Sequence, residues 1–306
     1  MTMTGYDPAA RWLEVTALLP PHLRENARRL DEPRQAEVEE LRLRAGRPMT
    51  AVFLRGEEPI SGAGAVTPSD LDLVLEIATR ASIHTAQAQI SSGFFTVRGG
   101  HRIGICGSGV TENGQVRNLR SISSLAIRVA RAVPGAARPV LDKLWQNGRF
   151  QSTLVVSPPG NGKTTLLRDL IRRISDGDGC PALRVGVADE RGELAAMRDG
   201  MAQFDVGSCT DVMDACPKEK GLLMLLRGMN PQVLAADEIT APEDCGALEV
   251  AANCGVALLC SAHGLDLEDL KTRPLYRDLL DRRIFRRLVV IRRTEQGRDY
   301  QVIELC

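Results

Sequence analysis

The densest chemistry in the sequence lies in Ser157-Pro158-Pro159-Gly160-Asn161-Gly162-Lys163-Thr164-Thr165. Small residues let backbone N–H groups close around phosphate oxygens with no Cβ in the way. Lys163 offers a point charge to the β- and γ-phosphates, and Thr164 a hard hydroxyl oxygen of the kind Mg²⁺ prefers. The apolar run Thr153 to Val156 leads in, and Leu166, Leu167, Leu170, Ile171 and Ile174 follow at the spacing of a buried helical face. Strand, tight loop and helix are the context of a phosphate-binding loop, G-x-x-x-x-G-K-[ST], so ATP and Mg²⁺ are the expected ligands. The outer glycine of that pattern is Ser157 here, a mild replacement if its φ stays negative.

Two acidic clusters accompany the loop. Asp237-Glu238 ends the apolar run Val233 to Ala236, expected to be a neighbouring strand whose carboxyl end lies beside the metal. Asp237 is placed to hold Mg²⁺ through water, and Glu238 to orient or deprotonate the attacking water. Asp189-Glu190-Arg191-Gly192-Glu193 follows a second apolar run, Leu183 to Ala188, so Glu190 competes with Glu238 for the same role. Ser261-Ala262-His263-Gly264 closes a third such run, and His263 there suits a sensor of the γ-phosphate. A guanidinium on the γ-phosphate assists phosphoryl transfer and often comes from another domain or subunit. Candidates are Arg98, Arg102, Arg120 and Arg128 in the first part of the chain, and Arg227 beside the second acidic strand.

These groups need elements to carry them. After the phosphate loop, strands at Leu183–Ala188, Val233–Ala236 and Val256–Ser261 alternate with helices at Lys218–Met229 and Pro242–Asn253. Strands apolar on both faces imply a mainly parallel sheet covered by helices. Phe285–Arg292 and Tyr300–Leu305, flanking Gln296-Gly297, read as a closing hairpin. Pro134–Pro139 reads as a linker, followed by a helix over Val140–Trp145. Residues before it suggest a smaller α+β domain, 1–133, ahead of an α/β domain, 134–306. Its start reads as charged helix to about Ala45, including Ala36–Leu43. Met49–Leu54 reads as a strand, and a helix capped by Thr67 or Ser69 buries Leu71, Val74, Leu75 and Ala78. Ser82–Ile90 reads as another helix, Phe94–Arg98 and His101–Cys106 as a hairpin across Gly99-Gly100, and Asn113-Gly114 as a turn.

Composition narrows the class. The 306 residues suit two domains, and 39 basic residues against 39 acidic ones leave no net field aimed at nucleic acid. Eight cysteines show no C-x-x-C pair and read as reduced, mostly buried residues of a cytosolic protein. No apolar stretch approaches the roughly 18 residues of a membrane span, and no signal peptide is expected.

The order of motifs resembles the type II/type IV secretion ATPases, and several strings resemble the stage III sporulation protein AA family. They are residues 95–104 (FTVRGGHRIG), 120–125 (RSISSL), Asp189 to Glu193, Thr210 to Lys218, Arg227-Gly228-Met229-Asn230-Pro231 and Asp237-Glu238-Ile239. The likeness covers about residues 40 to 265, with Gly228 where the family favours serine. It implies a RecA-like P-loop NTPase domain behind the α+β domain, whose arginines face the nucleotide site. It further implies a cytoplasmic ATPase of the mother cell, a homo-oligomer of hexameric ring form, peripheral at the membrane facing the forespore. Membrane proteins of a sporulation channel would be its partners. Two other readings compete: an ATP-gated assembly scaffold with little turnover, and a nucleic-acid translocase, which balanced charge and few aromatics oppose.

Overall fold

The structure, a computed structural model, describes residues 8–62, 64–79, 93–112, 114–294 and 297–305. The expected helix Ser82–Ile90, Asn113 of the expected turn and Gln296 lie outside the described residues. The chain divides into two compact units, Met1–Arg131 and Ala132–Cys306.

In the first unit, α1 (Pro8–Thr16), α2 (Pro21–Ala27), α3 (Glu32–Glu37) and α4 (Pro68–Thr79) accompany one antiparallel sheet. Its strands are β1 (Glu40–Arg44), β2 (Thr50–Phe53), β3 (Gly56–Pro59), β4 (Phe94–Thr96), β5 (Arg102–Glu112) and β6 (Gln115–Arg128). Their order is β3-β2-β1-β6-β5-β4. Leu41, Leu43, Ile103, Leu125 and Ile127 turn one face of the sheet into the core, where Trp12, Val15, Leu71 and Val74 meet them. The expected helix through Ala36–Leu43 is therefore corrected to strand β1. Leu41 and Leu43, two apart, are fully buried, and that period of two outweighs the charges between them. The α4 N-terminus is capped as expected. The Asp70 N–H donates to Thr67 Oγ1 at 3.2 Å and the Thr67 N–H to Asp70 Oδ2 at 2.8 Å.

The second unit opens with turns and a 3₁₀ segment, Leu141–Leu144, before the short hairpin β7 (Trp145–Gln146) and β8 (Arg149–Phe150). The helix expected over Val140–Trp145 is thus cut to a single 3₁₀ turn. Asn147-Gly148, both at positive φ, turn the chain back. The expected linker is partly anchored: Ala137 is buried and its N–H donates to Asp169 Oδ2 at 2.8 Å.

There follow β9 (Thr153–Ser157), α5 (Lys163–Asp176), β10 (Val185–Asp189), β11 (Thr210–Asp214), α6 (Lys218–Gly228), β12 (Val233–Ala236) and α7 (Pro242–Asn253). The unit closes with β13 (Ala257–His263), α8 (Leu267–Thr272), α9 (Pro274–Asp281), β14 (Arg287–Thr294) and β15 (Gly297–Glu304). The sheet order is β11-β10-β12-β13-β9-β14-β15, parallel throughout except for the edge pair β14/β15. Alternate residues of β9 serve two cores. Val155 packs with Leu166, Leu170 and Ile174 of α5, while Leu154 and Val156 pack with α6 and α7 residues such as Leu222 and Leu248. A sheet buried on both faces needs strands apolar at every position, which β9, β12 and β13 supply. Its carboxyl edge is then left as the place for polar groups. Strand β11 and helices α8 and α9 had no counterpart in the sequence reading.

Candidate nucleotide site

The groups singled out after the strands meet at the carboxyl edge of the second sheet. Ser157 ends β9 fully buried, with a negative φ, and its hydroxyl donates to the Pro158 carbonyl at 2.9 Å. Pro158, Pro159, Gly160 and Asn161 form the loop, with Gly160 at φ 76° and Gly162 at φ 96°. These left-handed values are what a non-glycine residue resists, and they bend the loop so that Lys163, Thr164 and Thr165 form the first turn of α5. The uncapped N–H groups of that turn point out of the helix and carry its positive dipole end.

Lys163 folds back over the loop. Its Nζ donates to the Ser157 carbonyl at 3.1 Å and the Pro158 carbonyl at 3.4 Å, and lies 3.0 Å from His263 Nδ1. Burial lowers its pKa from the ordinary lysine value, while the carboxylates of Glu238, Asp237 and Glu193 pull the other way. His263, at the end of β13, places Nε2 2.7 Å from Glu238 Oε1, and Glu238 Oε2 accepts from Arg191 Nη1 at 2.7 Å. Lys163, His263, Glu238 and Arg191 therefore form one polar chain across the sheet edge. Nδ1 accepts from the Lys163 ammonium and leaves Nε2–H to donate to the Glu238 carboxylate.

A second chain runs beside it. Thr164 Oγ1 donates to Asp237 Oδ2 at 2.6 Å, and Ser261 Oγ donates to Asp237 Oδ1. The same Ser261 hydroxyl, fully buried, accepts the Glu238 N–H at 2.9 Å. Strand β12 was expected beside β9; instead β13 lies between them. Asp237 reaches Thr164 over the tip of β13, and Ser261 fills the gap. Glu238 holds φ at 50°, an unusual conformation for a residue with a side chain. The buried Lys218, first residue of α6, steadies it by donating to the Glu238 carbonyl at 2.6 Å.

Asp189 and Glu190 divide their work. Asp189 is buried and accepts four backbone N–H groups, from Glu193, Leu194, Ala195 and Ala196, at 2.8 to 3.2 Å. It organises the loop after β10. Glu190 is 42% exposed in its side chain and lies 3.6 Å from Lys218 Nζ. Both line a cleft with Arg191, Lys218, Asp237 and Glu238.

Arg227 does not join this group. It is exposed in the last turn of α6, about 13 Å along the axis from Lys218 by helical rise. The Asn230 carbonyl just beyond accepts from Arg184, which precedes β10 at the sheet's amino edge. Arg227 thus stands at the opposite edge of its own sheet, a correction to its expected place beside the second acidic strand. Arg98, Arg102, Arg120 and Arg128 belong to the first unit. Arg102 and Arg128 are directly paired across β5 and β6, and the Arg102 guanidinium lies 3.4 Å from the Phe94 ring centroid. Three further residues stand at the second unit's site: Ser261 and Lys218, which the sequence offers only inside longer strings and without a role of their own, and Arg298, which it does not single out. Arg298 Nε, from β15, donates to the Asn161 carbonyl at 2.8 Å. Ser261 was legible as a polar residue closing an apolar run and Lys218 only as the last residue of a family-like string, whereas Arg298 carries no signal short of the fold.

No group of three or more His, Cys, Asp or Glu side chains that could hold a metal occurs among the described residues. The cation-binding oxygens available here are Thr164 Oγ1 and Asp237, a donor set that needs phosphate and water oxygens to complete it. That is the usual manner of Mg²⁺, which keeps several waters and few protein ligands.

The model of the family described as sporulation stage III, protein AA matches residues 11–303. The stage III sporulation protein AA of Bacillus subtilis (strain 168) is 39% identical over 283 residues, 92% of this chain and 91% of that relative. Among solved structures, the Legionella pneumophila ATPase DotB superposes with a TM-score of 0.58 at 14% identity, covering 99% of this chain and 82% of that one. The pilus retraction motor PilT, crystallised with ADP, gives 0.57 at 16%, covering 88% of this chain and 80% of that one. At such identities the likeness shows the fold alone, a RecA-like arrangement shared with these two structures.

Proposed function

The chain belongs to the sporulation stage III protein AA family, and from that premise we propose that it is a Mg²⁺-dependent ATPase working as a ring. The observation that carries the reading is the Thr164–Asp237 contact beneath a loop bent by two left-handed glycines. Hard oxygens close together, directly beside a helix N-terminus, fit a magnesium-bound polyphosphate better than a structural role.

Residues 157–165 hold the phosphates through backbone N–H groups and the Lys163 ammonium. Thr164 and, through water, Asp237 would hold Mg²⁺, which would supply neutralisation of the phosphate charge. Lys163 leaves its loop carbonyls and His263 for the phosphate, and His263 is then released to report the γ-phosphate. Glu238, no longer held by His263, orients the attacking water and takes its proton. Its position supports that choice over Glu190, since Glu238 alone connects to Lys163 through His263. Glu190 acts from the far side of the cleft, beside Lys218. An arginine of the first unit, among Arg98, Arg102, Arg120 and Arg128, supplies charge at the γ-phosphate from a neighbouring copy. Hydrolysis then turns the units against each other and drives or assembles a membrane channel during spore formation. Membrane proteins of that channel are its proposed partners; no helix among the described residues is long and apolar enough to cross a membrane.

The test is steady-state ATP hydrolysis by the purified full chain with Mg²⁺. Glu238→Gln should retain ATP binding and lower kcat by about 10²-fold or more, the scale on which general-base catalysis operates. Glu190→Gln should cost far less. Wild-type protein that binds ATP tightly without turnover would instead favour the scaffold reading.

A further inference from the structure

The closing hairpin does more than finish the sheet. Val290 of β14 pairs with Val156 of β9, one residue short of that strand's end. Residues Arg292, Arg293 and Thr294 therefore continue past the sheet edge, by about 10 Å at the rise of a strand. Strand β15 runs back beside them, pairing Arg293 with Arg298. Like charges directly opposite on two strands repel. The arrangement is costly for a free hairpin tip and favourable beside an anion.

Arg298 leans on the phosphate loop from this tip. Its Nε holds the Asn161 carbonyl at 2.8 Å, and its guanidinium lies 2.8 to 3.3 Å from where a Cβ on Gly162 would stand. Glycine at 162 thus leaves room for the arginine as well as the left-handed turn. The two Nη groups make no hydrogen bond among the described residues, leaving four N–H donors beside the N-terminus of α5. The direction of approach decides what they meet. Asp237, Glu238 and His263 stand on the β12 and β13 side of β9, whereas Arg298 arrives from the β14 and β15 side. A triphosphate with its γ end at the first group presents its other end to Arg298.

We propose that Arg298 is a nucleotide-binding residue acting within its own subunit, pairing through its Nη groups with the α-phosphate of bound ATP or ADP. This rests on the ATP-site reading above and adds a ligand that the phosphate-loop pattern does not contain. Charge-assisted contacts of this kind typically change affinity by roughly 10- to 100-fold.

Isothermal titration of the full chain with Mg·ATP and Mg·ADP tests it, on wild type, Arg298→Ala and Arg298→Lys, with nucleotide-free melting curves. Arg298→Ala should raise both dissociation constants by about the same factor, roughly tenfold or more. Arg298→Lys, which keeps the charge but not the planar fork, should recover part of the loss, and the melting temperature should stay at the wild-type value. Unchanged or tighter binding by Arg298→Ala overturns the inference, as does a loss confined to ATP, which would place the contact on the γ-phosphate. A lowered melting temperature with no rescue by lysine would also overturn it, leaving Arg298 as a staple of the loop. Wild type that binds neither nucleotide overturns the ATP-site reading itself, a result distinct from all of these.

Discussion

At the residue scale the site depends on side chains that serve two partners at once. Ser261 Oγ joins Asp237 to the Glu238 backbone while wholly buried. Ser261→Ala leaves a buried N–H and a carboxylate oxygen without their partner, so unfolding free energy should fall by about 2 kcal/mol. The Mg²⁺ concentration for half-maximal hydrolysis should rise with it; a variant matching wild type in urea and in Mg²⁺ titration would show that the hydroxyl positions nothing. The cysteines make another contrast. They were expected to be mostly buried, yet Cys106, Cys209 and Cys254 are exposed and only Cys245 and Cys260 are buried among the described residues. An apolar neighbourhood in sequence says little about which face of an element a small residue takes. Complete burial pushes the Cys260 thiol up to about 12. A thiol-disulfide reagent at neutral pH should therefore modify Cys106, Cys209 and Cys254 in the folded protein and reach Cys260 only on unfolding, as peptide mapping would show. The loop glycines and Lys163 were legible because phosphate binding constrains type and spacing together. Ser261 joins the site only because β13 intervenes between β9 and β12, a matter of strand order that local pattern does not encode.

At the element scale the sheet's burial on both faces made most of the second unit readable. Continuous apolar runs marked β9, β12 and β13, and the helical face of α5 was plain from Leu166 to Ile174. Strand β11 escaped because Thr210–Asp214 is half-buried at the sheet edge and alternates with acids. The segment Glu40–Arg44 reads as helix in sequence for the converse reason, because its two buried leucines alternate with half-buried charged residues. Between β10 and β11 the chain runs for twenty residues without a helix or strand of its own, and Asp189 substitutes for them by gathering four N–H groups. Asp189→Ala should unfasten that loop and lower stability by about 3 kcal/mol, since charge-assisted bonds to a buried carboxylate are lost together. Chemical denaturation would register it as a shifted midpoint, accompanied by loss of hydrolysis. A midpoint at the wild-type value would mean that the loop is held by its apolar anchors, Leu194 and Phe204, instead.

At the scale of the whole molecule the proposal is a ring in which one copy completes another's site. Subunit mixing exposes that arrangement. Glu238→Gln chains and chains in which the acting arginine (tested in turn as Arg98→Ala, Arg102→Ala, Arg120→Ala and Arg128→Ala) is removed, each strongly impaired alone, should regain part of the hydrolysis when mixed, because some interfaces then pair an intact arginine with an intact base. If the arginine acts within its own chain, mixing restores nothing. All of this presupposes that magnesium and adenine nucleotide settle on the loop between β9 and α5. The most direct measurement is calorimetric titration of the folded full-length protein with ATP, with Mg²⁺ and again with the cation chelated. The account predicts saturable uptake, weakened when Mg²⁺ is removed and abolished by Lys163→Ala. No heat of binding from wild-type protein, or the same heat from Lys163→Ala, would contradict it.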